Sequence, residues 1–203
     1  MSRSVVVLLA ILPFACARSS ESSVRESSAL RAELLRRYGA DSAVREALTV
    51  SMRANASDSA IIRRMIDIDT ANTAWLAREI ARTGWPARAA VGADGVSAAF
   101  LLVQHADRDT AFQIRMLPLI ERALAAGEIS GQEMALFSDR IATARGLLQT
   151  YGTQADLRDG RAFVKPIRDS ATVDLRRARL GLPPLQAYIR ILDSVYGSGV
   201  VQP

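Results

Sequence analysis

Hydrophobic residues recur along most of the chain at the spacing of three and four that marks helices with one buried face. Leu30, Leu34 and Leu35 place a helix over Ser28–Tyr38, with Gly39 suited to end it. Asp41 can cap a second helix running to about Ala54, with Val44, Leu48 and Met52 on one side. A third covers Asp58–Asp67 through Ile61, Ile62, Met65 and Ile66, either ending there or running on into the next segment. Thr70–Thr83 carries Trp75, Leu76 and Ile80, and Pro86 of the Gly84-Trp85-Pro86 run forbids continuation. Val96–Ala106, opened by Ala93-Asp94-Gly95, is nearly all apolar, and an element apolar on every side belongs at the centre of a domain.

Downstream, Asp109 can cap a helix to about Ala126, with Pro118 expected to kink it and Gly127 to end it. Ser130 and Glu133 have the spacing of a capping box. The helix they open carries Met134, Phe137 and Ile141 and stops at Gly146. The texture then changes. Tyr151–Leu157 and Arg161–Ile167 flank Arg158-Asp159-Gly160, which reads as a β-hairpin. Helical spacing returns over Asp169–Leu180 and again, past Pro183-Pro184, through Tyr196. With no internal repeat and no linker, the expectation is one all-α domain over residues 28–203 with a small β-hairpin insertion.

The start of the chain departs from this pattern. Arg3 precedes an apolar run, Val5–Ala15, too short to span a bilayer, which takes about 20 apolar residues. The pair matches the charged and apolar regions of a secretory signal peptide. The expected organisation is a signal peptide over 1–17, a polar tether over 18–27, and an exported domain. Ala15-Cys16-Ala17 fits a small-x-small cleavage site, which would leave a periplasmic or secreted protein. Alternatively Cys16 ends a run resembling a bacterial lipobox, although Pro13 stands where Leu is usual, and becomes the lipidated first residue of a membrane-anchored lipoprotein. The polar segment after Cys16 favours the anchor. With one cysteine in the chain, folding rests on the core and not on disulfides.

Composition agrees with a packed domain: 203 residues, 49% hydrophobic and 23% charged. The net charge of +5 and pI near 10.1 raise the question of nucleic acid. Lys165 is the single lysine among 26 basic residues, and an arginine bias beside abundant alanine reads as GC-rich coding. Acids accompany each basic cluster, as in Arg63-Arg64 with Asp67 and Asp69, and only 5% of residues are aromatic. Both features argue against a nucleic-acid binder.

His105 is the one histidine, at the polar end of the most apolar segment, with Asp107 and Asp109 following. If the helix continued, His105 and Asp109 would share a face, and a carboxylate beside an imidazole makes a candidate general base. The alternative is a histidine satisfied by its neighbours for structural reasons. Metal binding is not signalled: there is no HExxH and no second histidine, and no cofactor fingerprint occurs. Two further polar groups are binding candidates. One is Gln149, Tyr151, Thr153 and Gln154, which surround Gly152 where helix gives way to hairpin. The other is Asp139 with Arg140, inside an otherwise apolar helix and readable as an ion pair.

Several of these segments together resemble an uncharacterised bacterial domain-of-unknown-function family. They are Gly84-Trp-Pro86, Leu101-Leu-Val-Gln-His-Ala-Asp107 with Phe112-Gln113, and Gln149 with Tyr151-Gly-Thr-Gln154. The resemblance covers roughly Thr70 to Tyr188 and leaves the first helices outside. It implies that Gln104–Asp107 and Tyr151–Gln154 are hallmarks, and it adds Gln104 and Gln113 to the binding candidates. It implies no reaction and no cofactor. The leading expectation is a binding or interaction module with a polar pocket for a small molecule or protein. The alternative is a hydrolase-type enzyme with His105 as general base, oriented by Asp107 or Asp109. On either expectation His105 and the Gln149–Gln154 segment line one pocket, and the membrane is met only through Cys16.

Overall fold

A computed structural model describes residues 14–54, 58–158 and 161–196, with side chains described from residue 21. Helices dominate: α1 (Phe14–Arg53), α2 (Ser59–Thr83), α3 (Arg88–Gln104), α4 (Thr110–Ala125), α5 (Gly131–Ala144), α6 (Val173–Arg179) and α7 (Leu185–Tyr196). Between α5 and α6 a single antiparallel hairpin pairs β1 (Ala155–Arg158) with β2 (Arg161–Val164). The expected all-α domain with a small hairpin is the architecture found. The expected signal peptide lies mostly outside the described residues, as does the hairpin turn at 159–160.

The apolar segment is central, as its composition demands. Helix α3 packs along α1 and against α2 and α4. Val96, Ala99, Phe100 and Val103 are at most 1% exposed, and Phe100 meets Phe137 of α5 edge-on at 6.0 Å. Gly92 has a left-handed φ of 74° that breaks the helix before Ala93, where the sequence opens it.

Several boundaries differ from the sequence pattern. Gly39 does not end a helix: α1 runs through it, and residues 18–27 are helical and continuous with the rest. Asp41 caps nothing, because its carboxylate turns inward toward other partners. Of the two readings open for Asp58–Asp67, running on is the one found: it joins Thr70–Thr83 in one helix, α2, capped by Asp58. Strand β1 begins only at Ala155, since the amides of Tyr151 and Thr153 are held by Asp139 and are unavailable to a sheet. Other signals agree with the structure. Asp109 caps α4, which passes through Pro118, and Ser130 with Glu133 forms the capping box of α5.

The C-terminal part is fastened to this bundle at close range. A Cβ on Gly131 would stand 2.1 Å from the carbonyl oxygen of Leu180, so only glycine lets the start of α5 meet the end of α6. Asp193 of α7 accepts the amide of Ala162 at 2.7 Å and fixes α7 across the hairpin.

Candidate functional site

The buried face of α1 is built from Leu34, Asp41 and Val44, which recur at helical spacing and are 0%, 0% and 5% exposed. An acidic residue in that stripe needs buried partners. It has two. His105, the residue that closes α3, places Nδ1 at 2.8 Å from Asp41 Oδ2. Arg45, one turn further along α1, donates Nε to Asp41 Oδ1 at 3.0 Å and Nη2 to Asp69 Oδ1 of α2 at 2.7 Å. Three helices therefore converge on one cluster of His, Arg and two Asp.

Burial pushes the Asp41 carboxyl up, but the hydrogen bond and charge of His105, with Arg45, outweigh it and hold it below the ordinary range. An ionised carboxylate can only accept, so Nδ1 of His105 donates, and in the neutral ring Nε2 carries the lone pair. The carboxylate facing His105 is thus Asp41, and not Asp107 or Asp109 as the sequence suggests. The helix stops at Gln104, so the spacing of four that would align His105 with Asp109 does not apply. Asp109 instead accepts the amide of Phe112, and Asp107 takes a two-pronged bond from Arg140 of α5 at 2.7 and 3.0 Å. His105 opens into a cavity of about 370 Å³ lined also by Tyr38, Ser42, Arg45, Thr49 and Leu101.

Asp69 sits on the other side of the cluster, in a cavity of about 370 Å³ with Thr70, Thr73, Arg108 and Asp109. Burial raises its carboxyl, Arg45 opposes, the charge and hydrogen bond of Asp41 raise it further, and it comes to about 6. In an unfolded chain it would titrate near ~4. Between about pH 4 and 6 the folded state therefore holds more protons, and stability falls as pH rises through that window. Asp69→Asn should flatten this decline by on the order of 2 kcal/mol across the window, read from urea midpoints against pH. The lowered carboxyl of Asp41 acts in the opposite sense and at lower pH, so it does not mask the effect. An unchanged slope would show that Asp69 does not carry the proton.

The remaining candidates lie elsewhere. Gln113 is buried and donates Nε2 to the carbonyls of Val103 and Gln104 at 3.3 and 3.0 Å, closing the end of α3 just before His105. Asp139 is fully buried and does not pair with Arg140. Its two oxygens accept from the amides of Thr150, Tyr151 and Thr153 and from the Thr153 hydroxyl. Gln149, also fully buried, accepts the amide of Gln154 and donates to the carbonyls of Gln154 and Lys165. Tyr151 is half-buried, and burial followed by the charge of Asp139 raises its phenol. Gln154 Nε2 donates to Thr153 Oγ1 at 3.2 Å. These polar side chains organise the loop, and Thr153 lines a cavity with Arg177 and Tyr188 and not the one at His105. The expected single pocket is two different cavities.

Sequence reasoning missed Asp41 as a partner, along with Arg45 and Asp69. The available signal was the acid in the apolar stripe of α1. Among the described residues, no three His, Cys, Asp or Glu side chains gather where they could hold a metal ion, and no helix is long and apolar enough to cross a membrane.

No curated protein and no solved structure matches the chain. The model of a family of unknown function, DUF6624, matches residues 28–201, which takes in α1 from residue 28, with Asp41, as well as the segments from Thr70 onward. The match spans the whole His105 cluster and the Asp139 loop, and the chain belongs to that family.

Proposed function

We propose that the domain carries out general acid–base chemistry of the hydrolytic kind on a small polar molecule, with His105 as the base and Asp41 orienting it. One observation carries the reading: a buried carboxylate holds Nδ1 at 2.8 Å on a ring that lines a cavity. That arrangement selects the tautomer with the lone pair on Nε2, the nitrogen free to take a proton. Burying an ionised carboxylate is costly unless it is well partnered, and a histidine that only contacts a ligand has no need of it. Arg45, between Asp41 and Asp69, fixes both carboxylates.

The second reading is a binding module without turnover. It is favoured by the placement of Thr153 of the Gln149–Gln154 loop, which lines a cavity other than the one at His105. A panel of chromogenic carboxylic esters, phosphoesters, amides and glycosides separates the two. The acid–base reading expects turnover of at least one class, lost about 10²-fold in His105→Gln and in Asp41→Asn, with both variants folded. Wild-type activity no higher than that of the double variant on every class would overturn it.

The same proposal places the domain outside the cytoplasm, cut after Ala17 or anchored through Cys16. Arg3 and the run Val5–Ala15 support this, and residues 21–26, just beyond, are exposed. Intact-mass analysis of protein from its native host should show the leader removed, and a fatty-acid label should disappear in Cys16→Ser. A chain that keeps Met1 and stays in the cytoplasm would contradict it.

A further inference from the structure

Arg177 of α6 is fully buried, and it is the largest side chain in the interior. Its Nε donates to the carbonyl of Pro183 at 2.7 Å and its Nη1 to that of Tyr151 at 2.6 Å, while Nη2 is buried without a hydrogen-bond partner. Among the described residues no carboxylate pairs with it. Asp139 is committed to the Thr150–Thr153 loop, and Asp174 accepts the amide of Leu185 at 2.7 Å. The Tyr188 ring lies 4.9 Å from the guanidinium carbon, and its quadrupole returns only part of what an anion would. Burial accordingly draws the pKa of Arg177 below its ordinary value. A guanidinium keeps its charge even so, and a buried cation without a counter-charge is unfavourable.

Arg177 also lines a cavity of about 110 Å³ between α5, α6 and α7. Gln132 and Thr153 are polar parts of its wall, and Leu136, Leu182 and Ile191 are apolar. A cavity needs about 10–15 Å³ by this measure to hold one water, so 110 Å³ has room for a ligand of several non-hydrogen atoms. We propose that this cavity binds a short-chain monocarboxylate, its carboxylate supplying the counter-charge to Arg177 and its alkyl tail lying against Leu136, Leu182 and Ile191. The site is separate from the His105 cavity and stands whether or not His105 is a base.

The test is titration calorimetry and thermal shift on the full mature chain in a chloride-free buffer. The probes are butyrate, butyramide and inorganic phosphate. Butyrate should bind saturably below about 10 mM and raise Tm, while butyramide, of the same shape but uncharged, should not. Arg177→Met should abolish the effect, but it also removes two bonds to the backbone and can fail to fold. Ile191→Trp is the companion variant: it leaves Arg177 intact, fills the cavity from a half-exposed position, and should weaken butyrate at least tenfold. The proposal is overturned if butyramide binds as well as butyrate, if phosphate alone binds, if Ile191→Trp leaves affinity unchanged, or if no probe saturates.

Discussion

Asp139→Ala should destabilise the domain by about 4 kcal/mol or more, because one carboxylate satisfies four donors at once. The bonds run from the amides of Thr150 at 2.6 Å, Tyr151 at 3.1 Å and Thr153 at 3.0 Å, and from the Thr153 hydroxyl at 3.0 Å. Thr153 is 5% exposed, so its amide has no water to turn to once the acceptor is gone. Each stranded donor costs about 1–3 kcal/mol, against a typical stability of about 5–15 kcal/mol. Asp139→Asn keeps one acceptor oxygen and should fall between. Urea denaturation followed by circular dichroism gives the midpoints, and a wild-type midpoint for Asp139→Ala would show that the loop is held by something else. Tyr151 and Thr153 join α5 to α6 through Arg177 and Asp139, so loss of the carboxylate should also loosen α6.

Sequence located the polar residues of the Asp139 loop but not the contacts they make. Gln149 and Thr153 suit a pocket rim as polar side chains around a glycine, and Asp139 reads as the ion-pair partner of Arg140. In the fold they face inward and satisfy backbone groups that no strand or helix provides for. The difference is set by contacts spanning 11 to 14 residues between Asp139 and the loop, which no local pattern encodes. The His105 site shows the same limit over a longer reach. His105 was visible as the one histidine at the end of the apolar segment, but its partner Asp41 lies 64 residues earlier. Read locally, Asp41 after Gly39 is a helix cap. Read as the step after Leu34 and before Val44 on one stripe, it is a buried acid that needs a cation or donor.

The fold itself was legible wherever local chemistry decides. The capping box at Ser130 and the cap at Asp109 act within a few residues and are present as read. The nearly all-apolar segment from Val96 is buried as expected, although its helix ends at Gln104. Helix boundaries failed where packing overrides propensity. Glycine in a helix interior costs about 1 kcal/mol relative to alanine, which the packing of α1 along α3 and against α2 can offset. Gly39 therefore stays helical, and α1 runs through as one element.

Phe100→Ala should cost about 3–5 kcal/mol, comparable to the loss at Asp139 but through packing and not hydrogen bonding. The side chain is 1% exposed on a helix whose neighbouring positions Val96, Ala99 and Val103 are fully buried. Its ring meets Phe137 at 6.0 Å with an interplanar angle of 67°, an edge-to-face pair that adds about 0.5–1.5 kcal/mol beyond the area buried. Helix α3 packs against α1, α2 and α4, so the backbone around the vacated volume is held from several directions and collapses little. Phe163→Ala is the matched control, because that ring is 49% exposed on β2 and its loss should shift stability by no more than about 0.5 kcal/mol. Both midpoints come from the same urea titration. Equal shifts for Phe100→Ala and Phe163→Ala would mean that α3 is not the packed centre on which the position of His105 depends.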